Sequence, residues 1–394
     1  MHPTATRTHR FTESVIRSMT RLAQQHDAIN LAQGFPNFPT PDVLKEAAAR
    51  AIQQDINQYA ITWGAERLRL ALAAKYSEWY GMNVDPRAHL TVTCGATEAM
   101  AATLLAIVNP GDEVIVMEPF YENYGPDAIL CEAKPVFVPL EPGQPLDLDR
   151  LARAFSAKTR AIVVNTPNNP AGRVLTRAEL EGIAALCIRH NAWAVTDEIY
   201  EHILYTGDHI PMATLPGMAD RTITISGASK TFSITGWRIG WIVSPPEVSE
   251  AIRKVHDFLT VGAPAPLQEA VAVALETLPA SYYLGMSEEY RRRRDILVTA
   301  LQSSGFKCVA PEGAYYVLSD ISDLSDLSDV EFSHWLTAEI GVAPVPGSSF
   351  FSDPALGRHL VRFAFCKTDD MLVEAAERLQ RVGQSAGRSV GQRA

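Results

Sequence analysis

The chain has 394 residues, of which 47% are hydrophobic and 20% charged, and its formal net charge is −10. A chain of this length and composition can bury a large core, and we expect two domains or one large domain with a smaller one. The acidic balance argues against nucleic acid as a principal partner, because binding to a phosphate backbone needs a basic surface.

Cysteine spacing and hydropathy indicate the cellular location of the protein. The five cysteines are scattered without CxxC spacing, so we expect neither a disulfide framework nor a metal site. The first ten residues lack the apolar segment of a secretion signal, and no apolar run reaches the length of a membrane span. We therefore expect a cytoplasmic protein without a membrane partner.

Residues 1–45 are expected to form an N-terminal arm. An amphipathic segment from Phe11 to Gln25 is followed by a stretch from Gln33 to Pro41 that is dense in glycine and proline. Such density excludes regular structure and predicts a loop.

Residues 46–280 alternate β-branched runs with helical patterns. Strands are predicted at Leu90–Thr93, Glu113–Met117, Pro135–Pro139, Arg160–Asn165, Trp193–Thr196, Thr222–Ser226 and Ile239–Val243. Helices are predicted at Thr97–Ile107, Tyr121–Cys131 and Arg177–His190. This alternation predicts an α/β fold whose large domain has a mostly parallel sheet covered by helices.

Residues 281–394 are expected to form a smaller α+β domain that begins with a long connecting helix. The helix is predicted at Ser281–Ser304, and strands at Gly313–Asp320 and Leu360–Ala364. Four consecutive arginines, 291–294, are more typical of a solvated helix face than of a polyanion site. The polar tail, Gly383–Ala394, is expected to be poorly ordered.

The segment Ser226–Gly240 has the strongest chemical signal in the chain. Small residues flank Lys230, and Arg238 follows eight positions later inside a Gly-x-Arg-x-Gly frame. An amine that forms a Schiff base, close to an arginine whose forked donors suit a phosphate, is typical of pyridoxal phosphate (PLP) chemistry. The alternative is an exposed lysine in a Gly/Ser loop, and the whole fifteen-residue context favours the cofactor lysine.

Polar side chains follow several predicted strands, at the sheet edge where ligands of parallel sheets bind. Asp197 ends one strand, and a buried carboxylate is costly unless it is paired, for example with a pyridinium N–H. Tyr200, three residues later, can direct its hydroxyl to the phenolic oxygen of the ring. The alternative is a helix-capping aspartate followed by a core tyrosine.

Two further strand ends offer groups for the same ligand. The turn Gly95-Ala96-Thr97 opens a helix, whose free N–H groups and dipole attract an anion such as the phosphate. The alternative is an ordinary glycine turn with Thr97 as helix cap. Tyr121 follows another strand and can stack on the face of the cofactor, although an aromatic residue there is more often part of the core.

The spacing around Lys230 resembles the lysine-attachment motif of class I/II aminotransferases, and the resemblance extends from near Phe11 to near Arg378. It is closest in character to the subgroup of kynurenine, glutamine–phenylpyruvate and methionine aminotransferases and the bacterial aspartate enzymes. The resemblance implies a fold type I enzyme with PLP as cofactor, an L-amino acid donor, a 2-oxo acid acceptor and a homodimer.

The resemblance also implies roles for four residues. Asn169, in an Asn-Pro-x-Gly element, corresponds to the asparagine that hydrogen-bonds the ring phenolate and lies at the substrate. Arg362 corresponds to the arginine that binds the substrate α-carboxylate, for which the alternative is a surface salt bridge. Gly34 corresponds to a backbone position next to the substrate, and Tyr59 to the tyrosine that reaches the phosphate of the neighbouring subunit.

The chain departs from the family pattern in two places. Gly227 stands where many members have a serine that contacts the phosphate, so phosphate binding is weaker or Ser226 or Ser229 compensates. Val261-Gly262 stands where kynurenine-type enzymes often have Phe-His from the partner subunit, which argues against a pocket specific for aromatic substrates. No second arginine for a dicarboxylic side chain stands out, although three remain open: Arg67, Arg69 and Arg173.

The predicted reaction is a two-half-reaction transamination through pyridoxamine phosphate. Lys230 moves the proton from the substrate Cα as general base and acid, while Asp197 keeps the ring electron-poor. Two alternatives stay open: PLP-dependent β-elimination at a carbon–sulfur bond, and a non-catalytic ligand-binding scaffold. The scaffold is disfavoured, because Lys230, Asp197 and Arg238 are all present.

Overall fold

The computed structural model describes residues 4–141 and 143–386, with the backbone alone for residues 383–386. Its helices are α1 (Val15–Gln25), α2 (Asp42–Gln53), α3 (Glu66–Tyr80), α4 (Gly95–Ile107), α5 (Tyr124–Leu130), α6 (Leu148–Ala154), α7 (Arg177–His190), α8 (Ala228–Thr231), α9 (Pro246–Leu259), α10 (Ala265–Thr277), α11 (Ala280–Ser303), α12 (Asp329–Trp335) and α13 (Asp369–Ala386). Its strands are β1 (Ile29–Asn30), β2 (Leu90–Thr93), β3 (Glu113–Glu118), β4 (Lys134–Pro139), β5 (Thr159–Asn165), β6 (Trp193–Asp197), β7 (Thr222–Gly227), β8 (Gly240–Val243), β9 (Lys307–Cys308), β10 (Tyr316–Asp320), β11 (Val342–Ala343), β12 (Val345–Pro346) and β13 (Leu360–Ala364).

The larger sheet has seven strands in the order β2-β8-β7-β6-β5-β3-β4. Strand β8 is antiparallel to both of its neighbours, and every other pair in the sheet is parallel. The prediction of a mostly parallel sheet is therefore confirmed. Its strands are short apolar runs because helices cover both of their faces.

Strand β3 illustrates how the two faces are covered. Val114 and Val116 belong to a core cluster with α4 and α9, whereas Ile115 and Met117 belong to a cluster with α6 and α7. Successive side chains of a strand point to opposite faces, so one apolar run supplies both cores. The strand ends are then free to carry polar residues.

The smaller sheet is antiparallel, in the order β12-β13-β10-β9. Helices α11 and α13 contribute Leu297 and Leu372 to its core, which also contains Leu31 of the arm. The arm strand β1 pairs in parallel with β11, with Ile29 opposite Val342. The arm is therefore built into the same packing unit as the smaller sheet. None of the helices in the described ranges is long and apolar enough to cross a membrane.

Several predicted elements have the bounds that the structure shows, including β2, α7 and β13. The predicted helix start at Tyr121 was wrong, because Tyr121 lies in a turn whose carbonyl accepts from the N–H of Tyr124. The predicted strand start at Gly313 was also wrong. Gly313 and Ala314 donate their N–H groups to loop carbonyls, and Ala314 has a φ of 54°, which strands do not adopt.

The two boundaries expected between the arm, the large domain and the small domain both fall within helices. Residue 45 falls inside α2, and residue 281 is the second residue of α11. The tail was expected to be poorly ordered from Gly383, but α13 continues to Ala386, and residues 387–394 lie outside the described residues.

A buried ionic network lies beneath the segment that follows β6. Lys75 of α3 pairs with Glu201 at 2.5 Å between Nζ and Oε2, and the Tyr80 hydroxyl donates to the same oxygen at 2.6 Å. Burial alone would raise the pKa of Glu201, but Lys75, together with His202 and His209, outweighs burial and lowers that pKa to about 2. The carboxylate therefore stays ionised and anchors residues 197–201 against α3.

We expect Lys75→Met to lower the free energy of unfolding by about 3–5 kcal/mol, because it leaves a buried carboxylate without its counter-ion. Replacing both partners, as Lys75→Met with Glu201→Leu, should recover most of that loss. The measurement is urea unfolding of the cofactor-free protein, with Lys134→Met, at the exposed lysine paired to Glu113, as the matched control. Equal unfolding curves for the Lys75 and Lys134 variants would contradict the assigned role.

Candidate active site

The carboxyl ends of the parallel strands bring most of the predicted site residues to one edge of the larger sheet. Gly95 follows β2, Asn169 follows β5, Asp197 ends β6 and Lys230 follows β7. Strand β8 runs in the opposite direction, so its first residue lies at this edge and Arg238, just before it, joins the others. This is the edge at which ligands of open α/β sheets bind.

A cradle for an anion forms where β8 meets the start of α4. Gly95 has a φ of 82°, and a Cβ at that position would lie 2.3 Å from Nη2 of Arg238. A Cβ on Gly240 would lie 2.5 Å from the carbonyl carbon of Gly95, so both close approaches require glycine. The first N–H groups of α4, from Gly95, Ala96 and Thr97, have no intrahelical acceptor. A helix N-terminus beside a guanidinium is a donor set that fits a phosphate.

Asp197 is buried at the end of β6. Its Oδ2 accepts from the Tyr124 hydroxyl at 2.7 Å, and its Oδ1 accepts from the N–H of Ile199 at 3.3 Å. Burial raises the pKa of this carboxyl, and the Tyr124 hydroxyl opposes the rise. A cationic donor such as a pyridinium N–H would stabilise the ionised form, so the residue fits a pyridine-ring cofactor. Tyr124 was not predicted, because nothing in its sequence context separates it from a core tyrosine.

Lys230 is partly buried, and its Nζ donates to the carbonyl of Gly34 at 3.0 Å. Burial lowers the pKa of Lys230 to about 8, and the charges of Arg238 and Arg362 act in the same direction. The neutral amine, the form that acts as nucleophile or general base, is therefore more abundant near neutral pH than it is for a lysine with the usual pKa.

Tyr200 lies near this amine, with 6.0 Å between Nζ of Lys230 and its ring centroid, and Tyr121 lies near Asp197. The Tyr200 hydroxyl lies 3.1 Å from that of Tyr316, a residue that the sequence did not single out. Burial raises the pKa of Tyr200 well above its usual value, so its hydroxyl keeps its proton. Tyr121 packs edge-on against Tyr124, with 5.8 Å between the ring centroids, and so lies beside the Asp197 cluster.

Arg362 is completely buried, which excludes the surface salt bridge considered from the sequence. Nη1 donates to Oδ1 of Asn169 at 2.8 Å, and Nη2 donates to the carbonyl of Ala32 at 2.6 Å. The rings of Tyr316 and Phe350 lie 4.3 and 4.9 Å from the guanidinium carbon, and Nε is buried without a partner. The described residues give this cation neutral oxygens but no carboxylate, so it can still pair with a carboxylate ligand.

The arm crosses the site through four successive carbonyls, residues 32–35, which we call the arm strap. The carbonyl of Ala32 accepts from Arg362, and that of Gly34 accepts from Lys230 and, at 2.9 Å, from the Tyr315 hydroxyl. The other two accept from Nζ of the buried Lys367, at 3.1 Å for Gln33 and 2.9 Å for Phe35. Lys367 was missed, because its strand-end position alone does not show where its amine points.

Gly34 lies where the sequence analysis expected it, against the site. A Cβ there would lie 1.9 Å from the Tyr316 hydroxyl, so a side chain at this position is excluded. Tyr59, in contrast, is not brought to the site of its own chain, because 86% of its surface is exposed.

The departure at Gly227 has a packing reason. A Cβ at this position would lie 3.0 Å from the carbonyl of Ile239 and 3.1 Å from the Ile199 side chain. Ser226 cannot compensate, because its Oγ donates to Glu201 at 2.8 Å in the network beneath the site. Of the two serines considered, Ser229 remains.

The three open candidates for a second substrate-binding arginine are engaged elsewhere. Arg67 pairs with Glu269 and Glu276, Arg69 donates to the carbonyls of Gly64 and Pro86, and Arg173 pairs with Glu179. Nη1 of Arg173 is nevertheless buried without a hydrogen-bond partner within the described ranges.

Three comparisons with known proteins agree with this geometry. A family model described as aminotransferase class I and II matches residues 26–379. The probable N-succinyldiaminopimelate aminotransferase DapC of Mycobacterium tuberculosis is 41% identical, covering 95% of this chain and 98% of the relative. The methionine aminotransferase of Escherichia coli is 40% identical over 94% and 96%, and human kynurenine–oxoglutarate transaminase 1 is 38% identical over 92% and 94%.

Solved structures show the same likeness. The N-succinyldiaminopimelate aminotransferase of Mycobacterium tuberculosis superimposes with a TM-score of 0.93 at 40% identity, covering 96% of this chain and all of that one. The aspartate aminotransferase of Thermus thermophilus with maleate gives 0.91 at 36% identity, covering 97% of this chain and all of that one. The comparisons lend no support to a lyase. The chain thus belongs to the class I and II aminotransferases, enzymes of fold type I that use PLP to move an amino group between an amino acid and a 2-oxo acid.

Proposed function

We propose that Lys230 is the attachment amine for PLP and that Arg362 binds the α-carboxylate of an L-amino acid, whose amino group passes to a 2-oxo acid in two half-reactions. One observation carries the assignment: both cations donate to the arm strap, Lys230 at 3.0 Å and Arg362 at 2.6 Å. A nucleophilic amine and a carboxylate-binding cation therefore share one wall, at the sheet edge that holds the anion cradle.

The cofactor supplies an electrophilic aldehyde and an electron sink when it is bound. We assign the cradle of Gly95, Ala96, Thr97 and Arg238 to its phosphate. Asp197 keeps a proton on the ring nitrogen, since a buried carboxylate needs a cationic partner.

The remaining residues orient the cofactor ring and the substrate. Asn169 and Tyr200 supply N–H and O–H donors for the phenolate, and Tyr121 offers its ring to the cofactor face. Asn169 also bonds Arg362 at 2.8 Å, so the same amide helps to hold the guanidinium against the substrate carboxylate.

Lys230 is assigned the proton transfer at the substrate Cα. Its lowered pKa lets the neutral amine accept that proton, and the resulting ammonium can return it. The Gly34 carbonyl holds the amine between these steps, because it accepts a hydrogen bond from either protonation state.

We further propose a homodimer in which Tyr59 reaches the phosphate of the neighbouring subunit. Supporting this, Tyr59 and Phe258 expose 86% and 92% of their surfaces, and Ile61 and Val261 expose 50% and 45%. Large exposed apolar side chains are typical of a contact with another chain. We also propose the division into an arm (1–45), a cofactor domain (46–280) and a smaller domain (281–394), and a cytoplasmic location.

The first prediction concerns the absorbance spectrum of the cofactor-loaded protein. A visible band should convert to a near-ultraviolet band when an amino donor is added without acceptor, and a 2-oxo acid should restore it. Lys230→Ala should not turn over, whereas Lys254→Ala, at an exposed lysine, should behave as wild type. A visible band that persists while ammonia accumulates would instead establish elimination, and no visible band after supplying PLP would overturn the cofactor assignment.

The second prediction concerns the titration of Lys230 in the cofactor-free protein. Burial lowers its pKa from 10.5 to about 8, so the reactive neutral amine should appear as the pH rises through 8. Brief acylation at stepped pH, followed by peptide mass spectrometry, should give Lys230 a midpoint more than one unit below the usual lysine value of 10.5. A midpoint at that usual value would show that the Lys230 amine is not desolvated.

The third prediction concerns the arm strap. Lys367→Met removes the donor of the Gln33 and Phe35 carbonyls, so residues 32–35 should exchange amide hydrogens faster. The KM for the amino donor should rise about ten-fold with a smaller change in kcat, because one lost charged donor costs on the order of 1–3 kcal/mol. Lys307→Met, at an exposed lysine paired with Asp323, is the matched control. Unchanged exchange in residues 32–35 would contradict the role of Lys367.

A further inference from the structure

A histidine outside the assigned active site connects two segments that contribute to phosphate binding. His256 of α9 is completely buried. Its Nδ1 lies 2.6 Å from Oε1 of Glu98, and its Nε2 lies 2.8 Å from the carbonyl oxygen of Thr62. Glu98 belongs to the first turn of α4, and Thr62 lies three residues after Tyr59.

The hydrogen bonds around Glu98 define the protonation state of the pair. Its Oε2 accepts from the N–H of Cys94, and its Oε1 accepts from the Thr260 hydroxyl at 2.8 Å as well as facing His256. A carboxylate that receives these donors is ionised, so Nδ1 of His256 donates to it. The Thr62 carbonyl can only accept, so Nε2 also carries a proton. His256 is therefore an imidazolium with a defined partner on each nitrogen.

Through its bond to Glu98, His256 is connected to the start of the phosphate cradle. By accepting the N–H of Cys94, the carboxylate caps the turn that leads into Gly95, Ala96 and Thr97. Uncompensated, this negative charge would repel a phosphate bound one turn away. The imidazolium neutralises it, so the cap and an anion can be accommodated together.

Through its bond to the Thr62 carbonyl, His256 anchors the segment that contains Tyr59. The following carbonyls are also anchored, since Trp63 accepts from the N–H of Val92 at 3.0 Å and Gly64 accepts from Arg69 at 3.0 Å. Among these anchors, the His256 bond to Thr62 is the one nearest to Tyr59. Removing it would lengthen the unanchored chain around a side chain that is 86% exposed.

We propose that His256 is a positioning residue that joins the phosphate cradle of its own subunit to the Tyr59 segment offered to the neighbouring one. The buried imidazolium then positions the two groups that contact the phosphate in the dimer, the cradle of one subunit and Tyr59 of the other. This inference rests on the proposed function, because it needs the cradle and Tyr59 to bind phosphate.

The charged groups around His256 give the connection a pH dependence. Burial by itself lowers the pKa of His256, but Glu98 and, more weakly, the Thr62 carbonyl and Asp257 together outweigh burial and raise that pKa above 6.5. Arg253, one turn earlier in α9, instead donates to the carbonyls of Arg87 and Leu90. A raised pKa means that the imidazolium is present at low pH and is lost as the pH rises through the folded-state value. Phosphate affinity should therefore fall on the alkaline side of that value.

The test is binding of pyridoxamine 5′-phosphate to the cofactor-free dimer by titration calorimetry between pH 6 and 9. This probe carries the phosphate but no aldehyde, so the Lys230 linkage does not contribute. The affinity of wild type should decline with the midpoint that nuclear magnetic resonance gives for His256. His334→Gln, at an exposed histidine, is the control and should show the same decline.

Two variants separate positioning from simple destabilisation. Glu98→Gln can still accept from Cys94 and donate to Nδ1, so a neutral imidazole keeps its bond to Thr62. It should lower the His256 midpoint and flatten the pH profile of affinity. His256→Phe should weaken binding about ten-fold at low pH, on the order of one lost charged hydrogen bond. If the Phe variant does not fold, Glu98→Gln still decides the matter through the pH profile.

A double-mutant cycle with Tyr59→Phe tests the connection itself. In wild type this change should weaken binding, whereas in His256→Phe it should cost much less, because the tyrosine is already misplaced. Additive losses, or a pH profile that Glu98→Gln leaves unchanged, would overturn the His256 inference while the proposed function stands. If wild type itself does not bind the probe, the proposed function and the inference both fail.

Discussion

The arrangement of this candidate site depends on two cations, the fully buried Arg362 and the partly buried Lys230, which form no ion pair with a carboxylate among the described residues. Lys230 and Arg362 both donate to carbonyls of the arm, with Nζ 3.0 Å from Gly34 and Nη2 2.6 Å from Ala32. A carboxylate within the protein would neutralise either charge and remove its use, whereas a neutral oxygen stabilises the cation without pairing it. The arm must therefore lie across the sheet edge, and β1 keeps it there by pairing with β11.

The same constraint explains the buried ionic network beneath the site. Asp197 ends β6 and Tyr200 lies in the segment that follows, in which Glu201 is bound to Lys75 of α3. The charge that stabilises the fold is thus paired and buried on one side of the segment. The cations to which we assign chemistry, Lys230 and Arg362, form no such pair with a carboxylate in the described part of the chain. Gly227 is closely packed, because a Cβ there would lie only 3.0 Å from the Ile239 carbonyl oxygen.

Much of the fold could be predicted because local patterns decide it. Strands β2 and β13 and helix α7 were predicted at their observed bounds, since short apolar runs and a capped periodic helix need little context. The predicted start at Gly313 was misplaced because carbonyls from elsewhere in the chain, those of Gly172 and Ile203, accept the N–H groups of Gly313 and Ala314. The start at Tyr121 was misplaced because Tyr121 forms a local turn, with its carbonyl accepting from the Tyr124 N–H. The expected position of Lys230, Asp197 and Asn169 at one sheet edge follows from strand ends, because parallel strands finish at the same edge. Arg238 reaches that edge for a different reason, since it precedes β8, which runs antiparallel to its neighbours.

The sequence alone determined which residues are candidates for the site where their spacing within one strand–turn–helix unit is typical of a particular chemistry. Lys230 and Arg238 are the clearest case. What only the tertiary structure decided is which partner each of these groups meets. Tyr124 reaches Asp197, Lys367 holds the arm strap and His256 joins Glu98 to Thr62, in each case across many residues of chain. A hydrogen bond depends on distance and direction in space, and the packing of helices against the sheet sets both. For that reason no pattern of neighbouring residues could show these contacts.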